Sequence, residues 1–351
     1  MRGAWLYRRE DSGRSRWLLA PLWPMSLVYG AAARLHRGLY QRGWRRRKQL
    51  ACKVVSVGSP VVGGAGKTPT AAWLARELHR RGTKVALATR GYRRRGREAV
   101  RVVSDGRHVR GDVVSAGDEP LLLAAHAPGV PVLVGPDRGV VGLRAVSAFG
   151  ADVVVLDDGF QHHRLARDLD LIVIDGGLGL GNGCVLPRGP LREPARALRH
   201  ADAILVVDGP LPEEDASRLG ELAPEAPRFA ARRNPATLRP LAGGAGERPS
   251  WLHACDVGML TGIANPDSLR RSLASLGARV VAERNFPDHH SYRPADVSGL
   301  AEEAPLWVTT EKDAVKILPA WVGDADVRVL TIELHVLEAE RLLSWIESRL
   351  R

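Results

Sequence analysis

The pattern of apolar runs and polar breaks predicts alternating strands and helices through the central part of the chain. Short runs rich in Val, Ile and Leu end in Gly, Asp or a polar loop, and the segments between them place apolar residues at helical spacing. Such alternation is typical of a doubly wound α/β fold with a parallel sheet, which we expect over residues 51–208. The predicted strands are 53–57, 85–89, 151–156, 171–175 and 203–207.

The pattern weakens between residues 209 and 250 and then resumes. This stretch is rich in Pro, Ala, Gly and Arg, so we interpret it as linker-like loops around a short strand. Further strands and helices, among them a helix at 268–276 and a closing helix at 336–350, predict a second, smaller α/β lobe. The sequence therefore predicts three parts: a leader at 1–48, an α/β domain at 49–249 and a C-terminal α/β domain at 250–351.

The leader contains seventeen uncharged residues, 17–33, between Arg16 and Arg34. A membrane-spanning helix needs about 20 apolar residues, and Pro21 and Pro24 interrupt this run. A cleaved signal peptide, a buried core helix and a membrane-surface anchor are all compatible with the apolar run alone. The anchor also explains the flanking Arg clusters and the tryptophans of this segment.

Charge and cysteine content exclude several classes of protein. Residues 1–50 account for +10 of the net charge of +12, so the rest of the chain is nearly neutral, which disfavours a nucleic-acid-binding protein. Cys52, Cys184 and Cys255 are far apart and lack CxxC spacing. This spacing argues against a disulfide scaffold and against a cysteine zinc site.

A glycine-rich loop between the first predicted strand and a helix that ends near Arg81 indicates a phosphate-binding loop. The backbone N–H groups of Gly63, Gly64, Ala65, Gly66, Lys67 and Thr68 would cradle the phosphates of ATP. The Lys67 side chain would reach the β- and γ-phosphates, and the Thr68 hydroxyl would bind Mg²⁺. Val61 stands where the strict pattern has Gly, so a glycine-rich turn with an incidental Lys-Thr pair is the alternative. A chain that binds ATP belongs in the cytoplasm, which argues against export of the leader.

Further candidate residues lie at the end of a predicted strand, before a predicted helix and in two polar loops. Asp157 and Asp158 end the strand at 151–156, where Mg²⁺-holding carboxylates occur in nucleotide-hydrolysing folds; a plain strand-end turn is the alternative. Asp118 precedes a short helix and is either its N-cap or a general base. Asp288-His289-His290 indicates a metal site, an acid/base element or an ordinary polar loop. The Arg90–Arg97 loop is either a solvated surface or a contact for phosphate or lipid head groups.

Taken together, these motifs resemble the tetraacyldisaccharide 4′-kinase family of lipid A biosynthesis. The resemblance rests, in chain order, on VGGAGKTPT, TRGY, GDEPLLLA, LDDGFQHHRLARDLDLIVID, GNGCVLPRGPLREP, TGIANP, FPDHH and TEKDAVK. It implies a P-loop NTPase-like fold with a membrane-associated N-terminal helix. It also implies transfer of a phosphoryl group from ATP, with Mg²⁺, to the 4′-hydroxyl of a tetraacyldisaccharide 1-phosphate, giving lipid IV-A.

The resemblance also assigns roles to individual residues. Asp118 would be the base for the sugar hydroxyl, His289 would tune or share its proton, and Asp288 would orient His289. Asp157 and Asp158, with Glu119, would organise Mg²⁺, which Thr68 also binds. Further family positions line the site: Arg138, Gln161, Arg192 and Glu193.

The expected setting is the cytoplasmic face of the inner membrane, with residues 1–48 on the membrane surface. The implied partner is the acylated disaccharide lipid, and we expect neither nucleic acid nor an obligate protein partner. A P-loop NTPase that couples nucleotide hydrolysis to a partner protein is the alternative enzyme, but it leaves the leader and the Asp-His-His loop without a role.

Overall fold

The computed structural model describes residues 19–91, 94, 96 and 98–351. They form two compact units. The larger contains the chain up to Arg232 together with Val336–Arg351, and the smaller is Arg233–His335. The boundaries expected from the sequence, 48/49 and 249/250, remain predictions. The first part of the leader, residues 1–18, and most arginines of the Arg90–Arg97 loop lie outside the described residues.

The larger unit begins with helix α1 and alternates strands and helices thereafter. Its helices are α1 (Trp23–Gln41), α2 (Lys67–Arg80), α3 (Val113–Ala116), α4 (Asp118–His126), α5 (Arg138–Phe149), α6 (Glu213–Leu222) and, from the end of the chain, α10 (Ala339–Leu350). Its strands are β1 (Lys53–Gly58), β2 (Val85–Thr89), β3 (Arg101–Asp105), β4 (Pro131–Val134), β5 (Val153–Asp157), β6 (Leu169–Asp175) and β7 (Ala203–Val207), followed by the start of β8 (Arg228–Pro240). Short 3₁₀ turns lie at Ala20–Leu22 and Ala195–His200.

The strands of the larger unit lie in the order β8-β7-β6-β1-β5-β2-β4-β3. Neighbouring strands from β8 to β4 run parallel, and β3 pairs antiparallel with β4 at the edge. β1 lies between β5 and β6, with Val57 opposite Asp157 on one side and Leu171 on the other. This arrangement confirms the predicted α/β class and its parallel sheet.

Helices cover both faces of this sheet because nearly every residue of its central strands is buried, the exceptions being the terminal residues Lys53 of β1 and Asp175 of β6. Val54 and Val154 face a core that includes Val141 and Ala145 of α5. The alternate residues point the other way, as the pleat requires, and α2 packs against β1, β2 and β5. Strands that are buried on both faces of a sheet carry apolar residues continuously rather than in alternation.

Helix α1 has an unusual distribution of polar and apolar residues. The face turned toward the protein carries Ser26 and Arg37, which are buried, whereas Val28 and Leu35 are 70% and 62% exposed. Ser26 Oγ donates to the carbonyl oxygen of Val185, and this contact fixes the helix on the larger unit. Among the described residues, no helix has the length and apolarity needed to cross a membrane.

The segment 209–250 was expected to be linker-like loops around a short strand. The strand is present and is thirteen residues long, but a helix also lies in this segment, so the loop assignment of residues 213–222 was wrong. Helix α6 follows Pro212 and has three acidic residues in its first turn. Their negative charges interact favourably with the positive end of the helix dipole and stabilise the helix. β8 extends over Arg228–Pro240, and its buried Phe229 and Ala231 alternate with more exposed positions. Arginine and alanine at these positions gave too weak an apolar contrast for the alternation to be recognised.

The strands of the smaller unit pair in parallel with one another, and this unit has its own core. Its strands, besides the end of β8, are β9 (Asp256–Thr261), β10 (Arg279–Asn285), β11 (Trp307–Thr310) and β12 (Val327–Val336), ordered β10-β9-β11-β12. Its helices are α7 (Pro266–Ser275), α8 (Leu300–Glu303) and α9 (Glu311–Ala314), with 3₁₀ turns at Pro249–Leu252, Pro294–Asp296 and Pro319–Trp321. β12 continues to Val336, so the closing helix starts at Ala339, three residues later than predicted.

Candidate active site

The glycine-rich loop lies between the end of β1 and the start of α2. Gly63 and Gly66 have φ angles of 113° and 92°, a region in which a side chain is strained, so glycine is needed at both positions. Gly66 is the N-cap of α2, and Thr70 Oγ1 donates to its carbonyl oxygen at 2.8 Å. The loop, which also contains Gly64 and the buried Ala65, therefore leads directly into the positive end of a fourteen-residue helix.

The Lys67 side chain folds over this loop. Its Nζ donates to the carbonyl oxygen of Gly63 at 3.2 Å and lies 3.8 Å from Asp158 Oδ1. The side chain is only 11% exposed, so its ammonium group is held among the loop and the carboxylates that follow β5. An ammonium group in this position can neutralise phosphate oxygens bound by the loop.

Asp157 ends β5 beside the first turn of α2. The hydroxyl groups of Thr68 and Thr89 donate to Asp157 Oδ2 over 3.3 and 3.4 Å. The carboxyl group is almost completely buried. Burial, together with the nearby charges of Glu119 and Asp158, raises the pKa of Asp157 to about 7. Because these three carboxyl groups lie close together, a positive charge bound among them would be electrostatically favourable.

Asp158 has different neighbours from Asp157. It adopts a left-handed φ of 55°, which is rare outside glycine, and Arg192 Nη1 donates to its Oδ2 at 2.8 Å. Burial opposes ionisation, but the charges of Lys67 and Arg192 outweigh it and hold the pKa of Asp158 below its usual value. Asp158 Oδ1 is buried and has no hydrogen-bond partner among the described residues. The strand end thus carries an acceptor pointed at the loop.

Gln161 and Arg192 connect the loop to the segment after β5. Gln161 Nε2 donates to the carbonyl oxygen of Ser59 at 3.1 Å, and Arg192 Nη1 lies 3.5 Å from Gln161 Oε1. The structure thus brings Gln161 and Arg192 together with Asp158 and the phosphate loop.

Asp118 and Glu119 form the first turn of α4. Gly117 is the N-cap, so Asp118 is already helical and is not the capping residue. Asp118 is buried, and its Oδ1 accepts a hydrogen bond from the backbone N–H of Glu119 at 3.0 Å. This bond fixes the orientation of the carboxyl group, and the charge of Glu119 acts on Asp157.

Arg138 is the first residue of α5, directly after the N-cap Asp137. Its side chain is 7% exposed, and its buried Nε has no hydrogen-bond partner among the described residues. Burial lowers the pKa of Arg138, and the charges of Asp158 and Asp157 partly compensate for it. A buried guanidinium group with an unused N–H is suited to bind an anion.

Glu193 has a different environment from the other predicted site residues. Its carboxylate accepts hydrogen bonds from Arg37 Nε at 2.7 Å and from His163 Nε2 at 2.9 Å, and all three residues are buried. The contact between Glu193 and Arg37 therefore ties the loop after β6 to helix α1. Sequence reasoning missed both partners, because Arg37 lies 156 residues from Glu193 and was counted only as part of a basic leader.

Asp288 and His289 belong to the smaller unit. Lys312 Nζ donates to Asp288 Oδ1 at 3.2 Å and lies 3.2 Å from His289 Nε2, whereas His289 Nε2 lies 3.7 Å from Asp288 Oδ2. Lys312 thus lies between the two residues. Sequence reasoning assigned it no role, although it is part of the TEKDAVK motif. His289 has a φ of 60°, and its backbone N–H donates to the carbonyl oxygen of Gly262.

These residues fit Mg²⁺ and a nucleotide triphosphate. Asp157 and Thr68 offer two oxygen ligands, and Asp158 Oδ1, which accepts no hydrogen bond from the described residues, lies in the same cluster. No three His, Cys, Asp or Glu side chains of the described chain group as metal ligands. An Mg²⁺ ion bound here would therefore complete its shell with phosphate oxygens and water, as is usual for nucleotide-bound magnesium. The ion would screen the phosphate charge during transfer.

Comparison with known proteins agrees with this geometry. The family model described as tetraacyldisaccharide-1-P 4′-kinase matches residues 18–351. A tetraacyldisaccharide 4′-kinase of Anaeromyxobacter sp. (strain Fw109-5) is 44% identical over 333 residues, covering 92% of this chain and 89% of the relative. One of Syntrophus aciditrophicus (strain SB) is 38% identical over 327 residues, covering 89% and 87%.

The structure is also similar to a solved one. The crystal structure of LpxK from Aquifex aeolicus in complex with ATP superposes with a TM-score of 0.76 at 28% identity, covering 95% of this chain and all of that chain. With the match of the family model over nearly the whole sequence, the conclusion is direct: this chain belongs to the tetraacyldisaccharide-1-P 4′-kinase family.

Proposed function

We propose that this chain transfers the γ-phosphoryl group of ATP to the 4′-hydroxyl of a tetraacyldisaccharide 1-phosphate, forming lipid IV-A in lipid A biosynthesis. The observation that carries the proposal is the juxtaposition of Lys67, Thr68, Asp157 and Asp158 at the glycine loop, in a chain that the family model covers from residue 18 to its end. Phosphoryl transfer requires mainly positioning and charge neutralisation, and this cluster supplies both.

The donor half of the reaction uses the loop and α2. Backbone N–H groups of Gly63–Thr68 bind the triphosphate, and Lys67 exchanges its bond to the Gly63 carbonyl for phosphate oxygens. Asp157 and Thr68 would hold Mg²⁺, which would screen the phosphate charge. Arg138 and Arg192 interact with the Asp158 carboxylate beside the loop, so their positive charges can also act on the bound phosphates. Because both side chains are already in position, they need not move during phosphoryl transfer.

The acceptor half needs a group that takes the proton of the sugar hydroxyl. Asp118 is the proposed base, because its carboxyl group is buried and oriented by the N–H of Glu119. His289 is proposed to tune or share this proton. Lys312, rather than Asp288 alone, holds His289 in place, because its ammonium group donates to both residues and leaves the proton of a neutral imidazole on Nδ1.

The lipid substrate requires a route to the membrane, and helix α1 offers one. Its outward face exposes Met25, Leu27, Val28 and Leu35, while its polar Arg37 is turned into the protein. Insertion of this face into a lipid interface would remove several apolar side chains from water, each worth about 1.5–3 kcal/mol when fully buried. We therefore propose that the chain works at the cytoplasmic face of the inner membrane and that α1 lies in the interface.

One assay tests the reaction directly. Purified protein is incubated with γ-labelled ATP, Mg²⁺ and the disaccharide lipid in detergent micelles. Label in the lipid, lost in Lys67→Met, is the expected result. Label released only as free phosphate would contradict the kinase and favour an NTPase that acts on a partner protein. Arg46→Gln, an exposed change in the leader, is the matched control for loss of one positive charge.

Membrane association has its own test. Val28→Glu with Leu35→Glu is expected to abolish co-sedimentation with lipid vesicles while turnover on micellar substrate persists. Val114→Glu with Leu143→Glu changes the same residue types at other exposed positions of the larger unit, 57% and 53% exposed, and is expected to leave co-sedimentation unchanged. Equal loss in both double variants would contradict a specific role for α1.

A further inference from the structure

A cavity of about 340 Å³ lies beside the C-terminal end of α1, apart from the phosphate loop. It opens where β6 and β7 begin, near Asp170 and Asp202, whereas the phosphate loop lies where β1 and β5 end. None of its lining residues belongs to the cluster around Asp157. At about 30 Å³ per water molecule, its volume corresponds to roughly ten waters, enough for a phosphodiester group and part of its substituent.

The lining of this cavity is rich in positive charge. Four arginines contribute to it, Arg37, Arg47, Arg167 and Arg199, against two aspartates. Arg37 is paired with Glu193, and Arg167 with Asp170 at 2.9 Å. The guanidinium groups of Arg47 and Arg199 have no carboxylate partner among the described residues, and both residues are exposed.

The pKa of His200, a histidine in the wall of the cavity, is affected by the same positive charges. His200 lies 2.8 Å from Gln41 Nε2, and burial together with the charges of Arg37 and Arg199 lowers its pKa. The carboxylates reduce this field without cancelling it: Glu193 pairs with Arg37 and Asp170 with Arg167, whereas Asp202, which accepts the backbone N–H of Asp170 at 2.7 Å, is a single negative charge against Arg47 and Arg199. Arg199 Nε donates to the carbonyl oxygen of Arg196 at 3.1 Å, which leaves its other N–H groups available. The mouth of the cavity therefore combines two guanidinium groups that lack a carboxylate partner among the described residues with a partly buried histidine.

We propose that this cavity binds the phosphodiester head group of an anionic membrane phospholipid. Arg47 and Arg199 supply charge-assisted hydrogen bonds to the phosphate, a geometry for which the guanidinium group is well suited. The occupant is a lipid because Trp44, which is 70% exposed, stands three residues before Arg47 at the mouth of the cavity, where an aromatic side chain can enter a membrane interface. A head group bound here fixes the α1 end of the protein at an anionic surface.

The experiment uses the full chain and a short-chain lipid that stays monomeric. Dihexanoyl phosphatidylglycerol is titrated into the protein while the imidazole signals of His200 are followed by NMR. Saturable shifts of these signals are expected, with much weaker effects of dihexanoyl phosphatidylcholine and of inorganic phosphate at equal concentration. Equal responses to the choline lipid, or a response to inorganic phosphate alone, would overturn the proposal.

Two variants and a matched control separate specific binding from general attraction. Arg47→Gln with Arg199→Gln is expected to weaken binding at least about tenfold, the loss of two charged hydrogen bonds. Arg46→Gln with Arg196→Gln removes the same charge from the same two segments, outside the cavity, and is expected to change binding less than about twofold. Equal weakening in both would show diffuse electrostatics and overturn the site.

A third variant tests the cavity without changing charge. Ala201 lies in its wall, so Ala201→Leu fills part of the space and is expected to weaken binding as strongly as the arginine variant. Unimpaired binding in Ala201→Leu would place the lipid elsewhere. None of these residues belongs to the proposed kinase machinery, so turnover on micellar lipid is expected to stay at the wild-type level. Failure of the head-group site would therefore leave the proposed reaction untouched.

Discussion

Replacing Asp157 by Asn is expected to stabilise the protein in the absence of nucleotide and metal, although it removes a group that the proposed reaction needs. The carboxyl group is buried beside Glu119 and Asp158, and its pKa is raised from 3.8 to about 7. The folded state therefore keeps a proton that the unfolded state releases between about pH 4 and pH 7. Stability falls as the pH rises through this window and is constant above it.

The size of the effect follows from the same shift. About three pKa units, at 1.36 kcal/mol each, correspond to an upper value of about 4 kcal/mol at pH 8. At pH 4 the difference shrinks to less than about 1 kcal/mol, because the carboxyl group is then largely protonated in the folded state. The substitution changes little in the hydrogen bonds of this residue. Thr68 and Thr89 donate to it over 3.3–3.4 Å, so these bonds are weak, and both hydroxyl groups can donate equally to the amide oxygen of Asn.

Urea unfolding with a chelator at pH 4, 6 and 8 measures this dependence. Asp157→Asn is expected to gain stability over the wild type progressively with pH. Asp158→Asn is the matched control, and we expect the opposite sign, because Asp158 offsets the charges of Lys67 and Arg192 and its pKa is lowered. If Asp157→Asn were less stable than the wild type at pH 8, or if the difference did not grow with pH, the assigned environment of Asp157 would be wrong.

Three further predictions concern the site and its support. Asp118→Asn is expected to lower kcat by about 100-fold or more at saturating substrates with little change in the KM for ATP, as measured by lipid phosphorylation. Lys312→Met is expected to lower kcat by about as much as His289→Ala does. Because Lys312 acts through His289, the double variant is expected to lower kcat little further. Glu193→Gln is expected to destabilise the fold by about 3 kcal/mol in urea unfolding, and Arg37→Met with Glu193→Gln by less than the sum of the single effects.

The sequence predicted what depends on neighbours along the chain. The glycine loop, Lys67 and Thr68 lie within six residues, and their role follows from a strand, a turn and a helix in succession. Asp157 and Asp158 were likewise placed correctly at a strand end, because alternating apolar runs define that end.

The sequence could not predict what depends on distant partners. Asp157 and Asp158 are adjacent and chemically identical, yet one lies among carboxylates and the other between Lys67 and Arg192. From the sequence alone, Glu193 could not be distinguished from the other site carboxylates. The structure pairs it with Arg37. Lys312 follows a different strand from His289 and reaches it only through the sheet of the smaller unit. Contacts of this kind leave no local pattern.

Adjacent residues of one loop connect helix α1 to the nucleotide cluster. Arg192 donates to Asp158, and Glu193 next to it accepts from Arg37 of α1 and from His163. Removal of residues 1–48 would therefore do more than remove the proposed membrane anchor, because it would leave Glu193 buried without its guanidinium partner beside Arg192 of the candidate active site. Substitutions on the outward face of α1, such as Val28→Glu with Leu35→Glu, leave the Arg37–Glu193 pair in place. They separate membrane association from the integrity of the site, which a truncation cannot do.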